Sequence, residues 1–316
     1  MMPLSSKHTL GQDRFHVGWD HTNEPALTIK PGETIAFDLM DAGGGQVTPE
    51  STVADLANLD FDRVNPAVGP VYVEGAAPGD ALKVSILSLK TADWGWTANI
   101  PGFGLLADRF TEPALHIWKI DPDAKAPAEF GPGGRVPLKP FPGIMGLAPA
   151  EPGVHSSVAP LKTGGNMDTR DLGVGTELYL PVEVPGALFS MGDGHAVQGD
   201  GEVCGTAIEC PLTAVIQLDL IKDAGFQYPR FFTPGPVSRH FDEKGYAATT
   251  GVGPDLMQAA QQAASDMVDL IAGEHNMEPV EAYMLMSVCA NLRISEIVDM
   301  PNFVVSCYFP RIVFEQ

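Results

Sequence analysis

Two long runs of the chain, residues 81–89 and 212–220, alternate apolar and polar side chains. A period of two belongs to a β-strand with one buried face rather than to a helix. Pro78-Gly79-Asp80 makes a turn before the first run, and 34 glycines and 28 prolines favour many turns and short strands throughout. Further strands are expected over residues 15–20, 69–76, 115–120, 177–184, 203–209 and 303–309. Residues 25–29 and 34–39, joined by Lys30-Pro31-Gly32-Glu33, read as a β-hairpin. Trp94-Gly95-Trp96 and residues 101–106 read as an aromatic, glycine-rich loop of the kind that can wall a pocket.

Helical spacing enters late. Leu256, Ala259, Ala263, Met267, Leu270 and Ile271 recur on one face of residues 255–272, with Gly273 as the stop. Pro279 opens a second helix running to Ala290. The expected fold is therefore α+β and mainly β, in one domain over residues 1–316. It is β-rich over 1–250, with a helical hairpin at 254–291 and a closing strand at 303–314. Residues 71–80 and 178–187 echo each other as strand–turn segments, a faint sign of internal duplication.

The formal net charge is −21, from 19 basic against 40 acidic residues. Such a surface disfavours nucleic acid and anionic membranes and leaves neutral or cationic small molecules as partners. Cys204, Cys210, Cys289 and Cys307 show no Cys-x-x-Cys spacing, so free thiols are expected. Residues 1–14 lack the apolar core of a secretory leader, and no apolar run suits a membrane span. A cytoplasmic protein is the expectation. The amphipathic helical hairpin suits a homo-oligomer interface.

Chemistry concentrates in residues 190–205, where Asp193, His195, Asp200, Glu202 and Cys204 lie among five glycines. In an extended segment Asp193 and His195 point to one face, where an Asp-x-His pair can bind a metal or hold an imidazole for proton transfer. A polar hairpin loop with a merely hydrogen-bonded histidine is the plainer alternative. Glu202 sits at a strand start and suits a general base. Asp41, before Gly43-Gly44-Gly45, joins the site only if it converges on Asp193 and His195. Asn166, after Gly164-Gly165, can offer an amide or backbone N–H to a carbonyl. His155 and Asp168 flank it. Cys204 as nucleophile with His195 as base is a further alternative. A strand cysteine is more often buried.

Residues 191–203, Met-Gly-Asp-Gly-His-Ala-Val-Gln-Gly-Asp-Gly-Glu-Val, closely resemble the signature of the acetamidase/formamidase family. Trp19-Asp20, Asp41–Gln46, Gly69–Ala76, Pro101–Gly104, Gly146–Pro149 and Gly164–Asp168 follow in that family's order, along nearly the whole chain. A γ-lactamase is similar to this family too. The resemblance implies jelly-roll-like or β-sandwich-like sheets, and hydrolysis of a small amide or lactam. It also implies a divalent metal, with zinc expected. On this footing Asp41, Asp193 and His195 are the expected metal ligands and Glu202 the catalytic base. Gly165, Asn166 and Trp19 are the expected substrate contacts. Thr163 stands where family members often carry a histidine, and His155 is a potential substitute. A metal-stabilised β-sandwich that only binds a small ligand stays open, as does a metal-free Cys204 amidase.

Overall fold

The two alternating runs lie side by side. In a computed structural model, which describes residues 6–131 and 133–315, strand Leu212–Ile221 pairs antiparallel with Ala81–Thr91 along its length. On its other edge it pairs with Glu33–Leu39. His8–Leu10, Glu177–Pro181 and Arg230–Phe232 complete a six-stranded sheet. Leu82, Val84 and Ile86 of one run, and Ala214, Ile216 and Leu218 of the other, face a shared core. That is what the period of two requires.

A second sheet closes that core. Phe189–His195 is flanked by Phe141–Leu147 and Ala67–Val73, with Gly164–Asn166 beyond the former. Val68, Val71, Met145, Leu147, Phe189 and Met191 pack from it against the first sheet. Two sheets packed face to face make a β-sandwich, and the chain is mainly β as expected.

The remaining chain builds a second core. Tyr246–Gly253, Phe303–Pro310 and Asn291–Glu296 form a three-stranded sheet packed on helices Leu256–His275 and Pro279–Cys289. The Asp255 carboxylate caps the first helix by accepting from Gln258 N–H. Among the described residues no helix is long and apolar enough to cross a membrane. The leader expectation over residues 1–14 falls partly on residues 1–5, which lie outside the described residues.

Several expectations need correction. Residues 25–29 and 34–39 are not a hairpin: Leu27–Ile29 pairs parallel with Ala67–Val73 in the second sheet, while Glu33–Leu39 belongs to the first. The Pro31-Gly32 turn hands the chain from sheet to sheet. Trp94–Asn99 is a strand paired with Ala114–Lys119, not a loop. Gly273 does not stop its helix, which runs to His275 and ends on Asn276 at φ 49°. An interior glycine costs only about 1 kcal/mol, less than the packing of that helix provides. The echoing segments 71–80 and 178–187 bond to each other, Gly186 N–H to Ala76 O and Gly79 N–H to Val182 O.

Candidate active site

The strand Phe189–His195 carries the central residues and runs between the two cores. Its final turn is irregular, because Asp193 adopts φ 56°. Asp168 and Glu202 also take left-handed backbones, at φ 45° and 42°. Three carboxylates in a backbone region that L-residues avoid mark a site the surrounding fold must enforce. The enforcement is visible. Gln198 Nε2 donates to Asp168 O at 2.8 Å, and Gly199 N–H donates to Ser287 O at 2.8 Å. The Arg170 guanidinium lies 3.2 Å from Asp200 and also donates to Asn291 Oδ1. The loop bearing Glu202 is thus clamped to the segment of Asp168 and Arg170 and to helix Pro279–Cys289.

Asp193 and His195 do converge, as the signature suggests. His195 Nε2 lies 3.0 Å from Asp193 Oδ1 and 3.1 Å from Glu209 Oε2. All three side chains are almost wholly buried. Neither contact has hydrogen-bond geometry: Asp193 Oδ1, Glu209 Oε2 and both ring nitrogens of His195 lack partners, as does Asp168 Oδ1. Buried polar atoms are almost always paired. Donor atoms of Asp168, Asp193 and His195, and of His195, Glu202 and Glu209, form two groups, each within 4.8 Å. Carboxylate oxygens with one imidazole nitrogen suit a divalent cation of the zinc or manganese kind. The unpartnered atoms point to the same fit.

The electrostatics agree. Burial pushes Glu209 up to about 8, and burial with the charge of Asp193 pushes Asp168 up to about 7. Burial and then the charge of Asp168 lift Glu202 well above the usual carboxylate range. Burial opposes a charged His195, but Asp193 and Glu209 outweigh it and hold the imidazole well above its ordinary value. A cluster so rich in buried carboxyls favours a cation.

Gly143 makes this packing feasible. A Cβ there would lie 2.5 Å from Asp193 Oδ2, 2.6 Å from Asp168 Oδ1 and 2.8 Å from His195 Cε1. On the far side, a Cβ at Gly194 would collide with Cys210 O.

The cluster floors a cavity of about 630 Å³ lined by Asp168, Asp193, Glu202, Glu209, Asn166 and Gln198 among others. Trp96 and Phe103 line it too, as expected of an aromatic wall. Trp19 and Gly165 lie outside that lining. Trp19 is buried beside Ala67 and Ile144, and its indole faces Gly165 from behind. Asp41 stands in the second rank. Its carboxylate senses Asp193, but Oδ1 accepts the Gly43 N–H at 2.7 Å, and burial raises it to about 6. Thr163 donates to Leu147 O, and His155 Nε2 bonds Glu151 O, so neither reaches the cluster. Residues 203–209 are not a regular strand: a turn at Gly205 is followed by single bridges from Glu209 to Trp96 and to His195.

The family model for the Acetamidase/Formamidase family matches residues 3–157 and 152–316. The chain belongs to the Acetamidase/Formamidase family. It is 28% identical to a formamidase of Methylophilus methylotrophus, over 99% of this chain and 93% of that one. An acetamidase structure from Bacillus halodurans superposes with a TM-score of 0.68 at 32% identity, covering 97% of this chain and 98% of that one. A γ-lactamase from Delftia acidovorans shares the fold, with a TM-score of 0.89 at 24% identity and 98% and 94% coverage.

Glu209 was missed in the sequence because it ends an apolar run and resembles a strand's solvent side. The available signal was a lone carboxylate between Ile208 and Cys210.

Proposed function

We propose that the protein hydrolyses a small linear amide of the formamide or acetamide type, or a γ-lactam, to a carboxylate and ammonia or an amine, assisted by a divalent metal such as zinc. One observation carries this reading: Asp193 and Glu209, which line the cavity, converge on one nitrogen of His195 behind them, in a chain of this family.

Asp193, His195 and Glu209 would hold the cation, with Asp41 behind Asp193. A cation there supplies Lewis-acid polarisation and a lowered pKa for water. Glu202 borders the cavity beside Asp168; burial and then that neighbour's charge raise it. Two carboxyls in such contact share a proton, so one of them stays ready to exchange it near neutral pH. Glu202 takes the proton of the attacking water and passes it to the leaving nitrogen, a role worth about 10²–10⁴ in rate. Asn166 supplies a polar contact for the substrate amide from the cavity wall.

Cys204 does not fit a nucleophile. It is fully buried, and burial pushes its thiol up to about 11. All four cysteines are free and buried, in keeping with a cytoplasmic location, and the reading retains a homo-oligomer.

The test is release of ammonia from formamide and acetamide, and ring opening of a γ-lactam, with and without a chelator. Turnover that the chelator abolishes supports the reading. Retained metal with no turnover on any amide would make this a ligand-binding protein instead.

A further inference from the structure

The cavity is large for acetamide. Water occupies about 30 Å³ per molecule in the liquid, so four heavy atoms fill on the order of a fifth of the 630 Å³ available. Much of the remaining wall is apolar, with Asn65 and Thr206 as polar exceptions. Leu59, Phe61 and Val64 come from the segment between strands Glu33–Leu39 and Ala67–Val73, which forms two short 3-10 turns. Ile100 and Phe103 come from the loop after Trp94–Asn99, and Val158 faces them from the loop before Gly164–Asn166. Phe61 and Phe103 are 57% and 43% exposed at this cavity. Aromatic side chains left open beside a cavity offer contact area to a ligand.

The floor has the opposite character. Asn166 donates its Nδ2 to Val158 O, and Gln198 donates its Nε2 to Asp168 O. Those bonds fix both amide groups, and both carbonyl oxygens are buried without a partner. Two free acceptors match the two N–H bonds of an unsubstituted amide. Among the described residues neither lysine nor arginine lines the cavity, while four carboxyl side chains do. A negatively charged acyl tail lying along the apolar wall would lose its hydration with no basic side chain there to pair with.

We infer that, on the reading of this site as an amidohydrolase, the substrate is a primary amide of an uncharged acid with an extended apolar chain or ring. The apolar part lies along Leu59, Phe61, Ile100 and Phe103, and the amide N–H₂ faces Asn166 and Gln198. Hydrolysis is balanced by one water, which supplies OH to the acyl carbon and H to the departing ammonia.

The experiment is a kcat/KM series on the metal-replete enzyme with acetamide, butanamide, hexanamide, N-methylhexanamide, the monoamide of adipic acid and a γ-lactam. The expected rise is about fourfold per methylene from acetamide to hexanamide. N-methylation should lower kcat/KM by tenfold or more, since it leaves a buried acceptor unpaired. The terminal carboxylate should lower it by a similar factor. Phe61→Ala, at an exposed position, should shrink the hexanamide-to-acetamide ratio several-fold. Acetamide or the lactam outpacing hexanamide would overturn this inference and leave the amidohydrolase reading standing. No ammonia from any linear amide, with no lactam opened, would remove that reading and this inference with it.

Discussion

Glu209 Oε2 lies 3.1 Å from His195 Nε2, across the bridge that joins their two segments. The contact is not a hydrogen bond, and Asp193 approaches the same nitrogen from the signature strand. On the proposed reading, a cation held there would give all three atoms a partner. Glu209→Gln keeps the shape and halves the donor capacity of that side chain. It is expected to weaken metal binding by tenfold or more, measured by chelator competition. Unchanged affinity would remove Glu209 from the ligand set.

Metal binding should also stabilise the fold, since the donors converge only in the folded chain. At a hundredfold excess over Kd, bound cation adds about 2.7 kcal/mol. Chelation is therefore expected to lower Tm by several degrees in the native chain and by much less in His195→Ala. An equal drop in both would show that the chelator acts elsewhere.

Gly143→Ala tests the packing without touching a donor. The new methyl would meet Asp193 Oδ2, Asp168 Oδ1 and His195 Cε1 inside normal contact distance. Overpacking of this kind costs about 1–3 kcal/mol. The expected outcome is a folded protein by circular dichroism with reduced metal content and turnover. A variant matching the native protein in both would show that the site yields easily.

Cys204→Ala should retain activity, and iodoacetamide at neutral pH should not inhibit the native enzyme. The thiol is buried, held near Ala98 O and Thr206, and raised to about 11. Inactivation by alkylation of Cys204, with chelators harmless, would select the thiol mechanism instead.

Stability should fall in acid through His240. Burial, then the charges of Lys139 and Arg170, lower its pKa to about 4. The folded value lies below the unfolded 6.5, so the unfolded chain binds the extra proton between them. The contribution is complete above pH 6.5 and is lost as pH falls towards 4. Allowing for partial exposure, the loss is on the order of 2 kcal/mol. His240→Gln should flatten urea-midpoint values across that window. An unchanged slope would place the titrating group elsewhere.

The strands of the first sheet were legible because Leu82, Val84 and Ile86 repeat with a period that only a half-buried strand satisfies; the sandwich itself was implied by the family resemblance. Where the chain changed sheets at Pro31-Gly32 it was not legible, since a turn looks alike whether its strands pair or part. In the site, Asp193 and His195 were legible from their glycine-rich setting. Glu209 was not, because what qualifies it is a bridge to His195 formed by tertiary pairing. Trp19 looked like a pocket residue beside Asp20 but fills the space behind Gly165.

In the proposed mechanism Glu202 moves protons beside a metal held by its neighbours. Glu202→Gln should retain the native metal content by elemental analysis and lose on the order of 10³ in kcat for amide hydrolysis. A Glu202→Gln protein that keeps its metal and turns over amide at the native rate would contradict it. So would loss of metal together with turnover, which would make Glu202 a ligand.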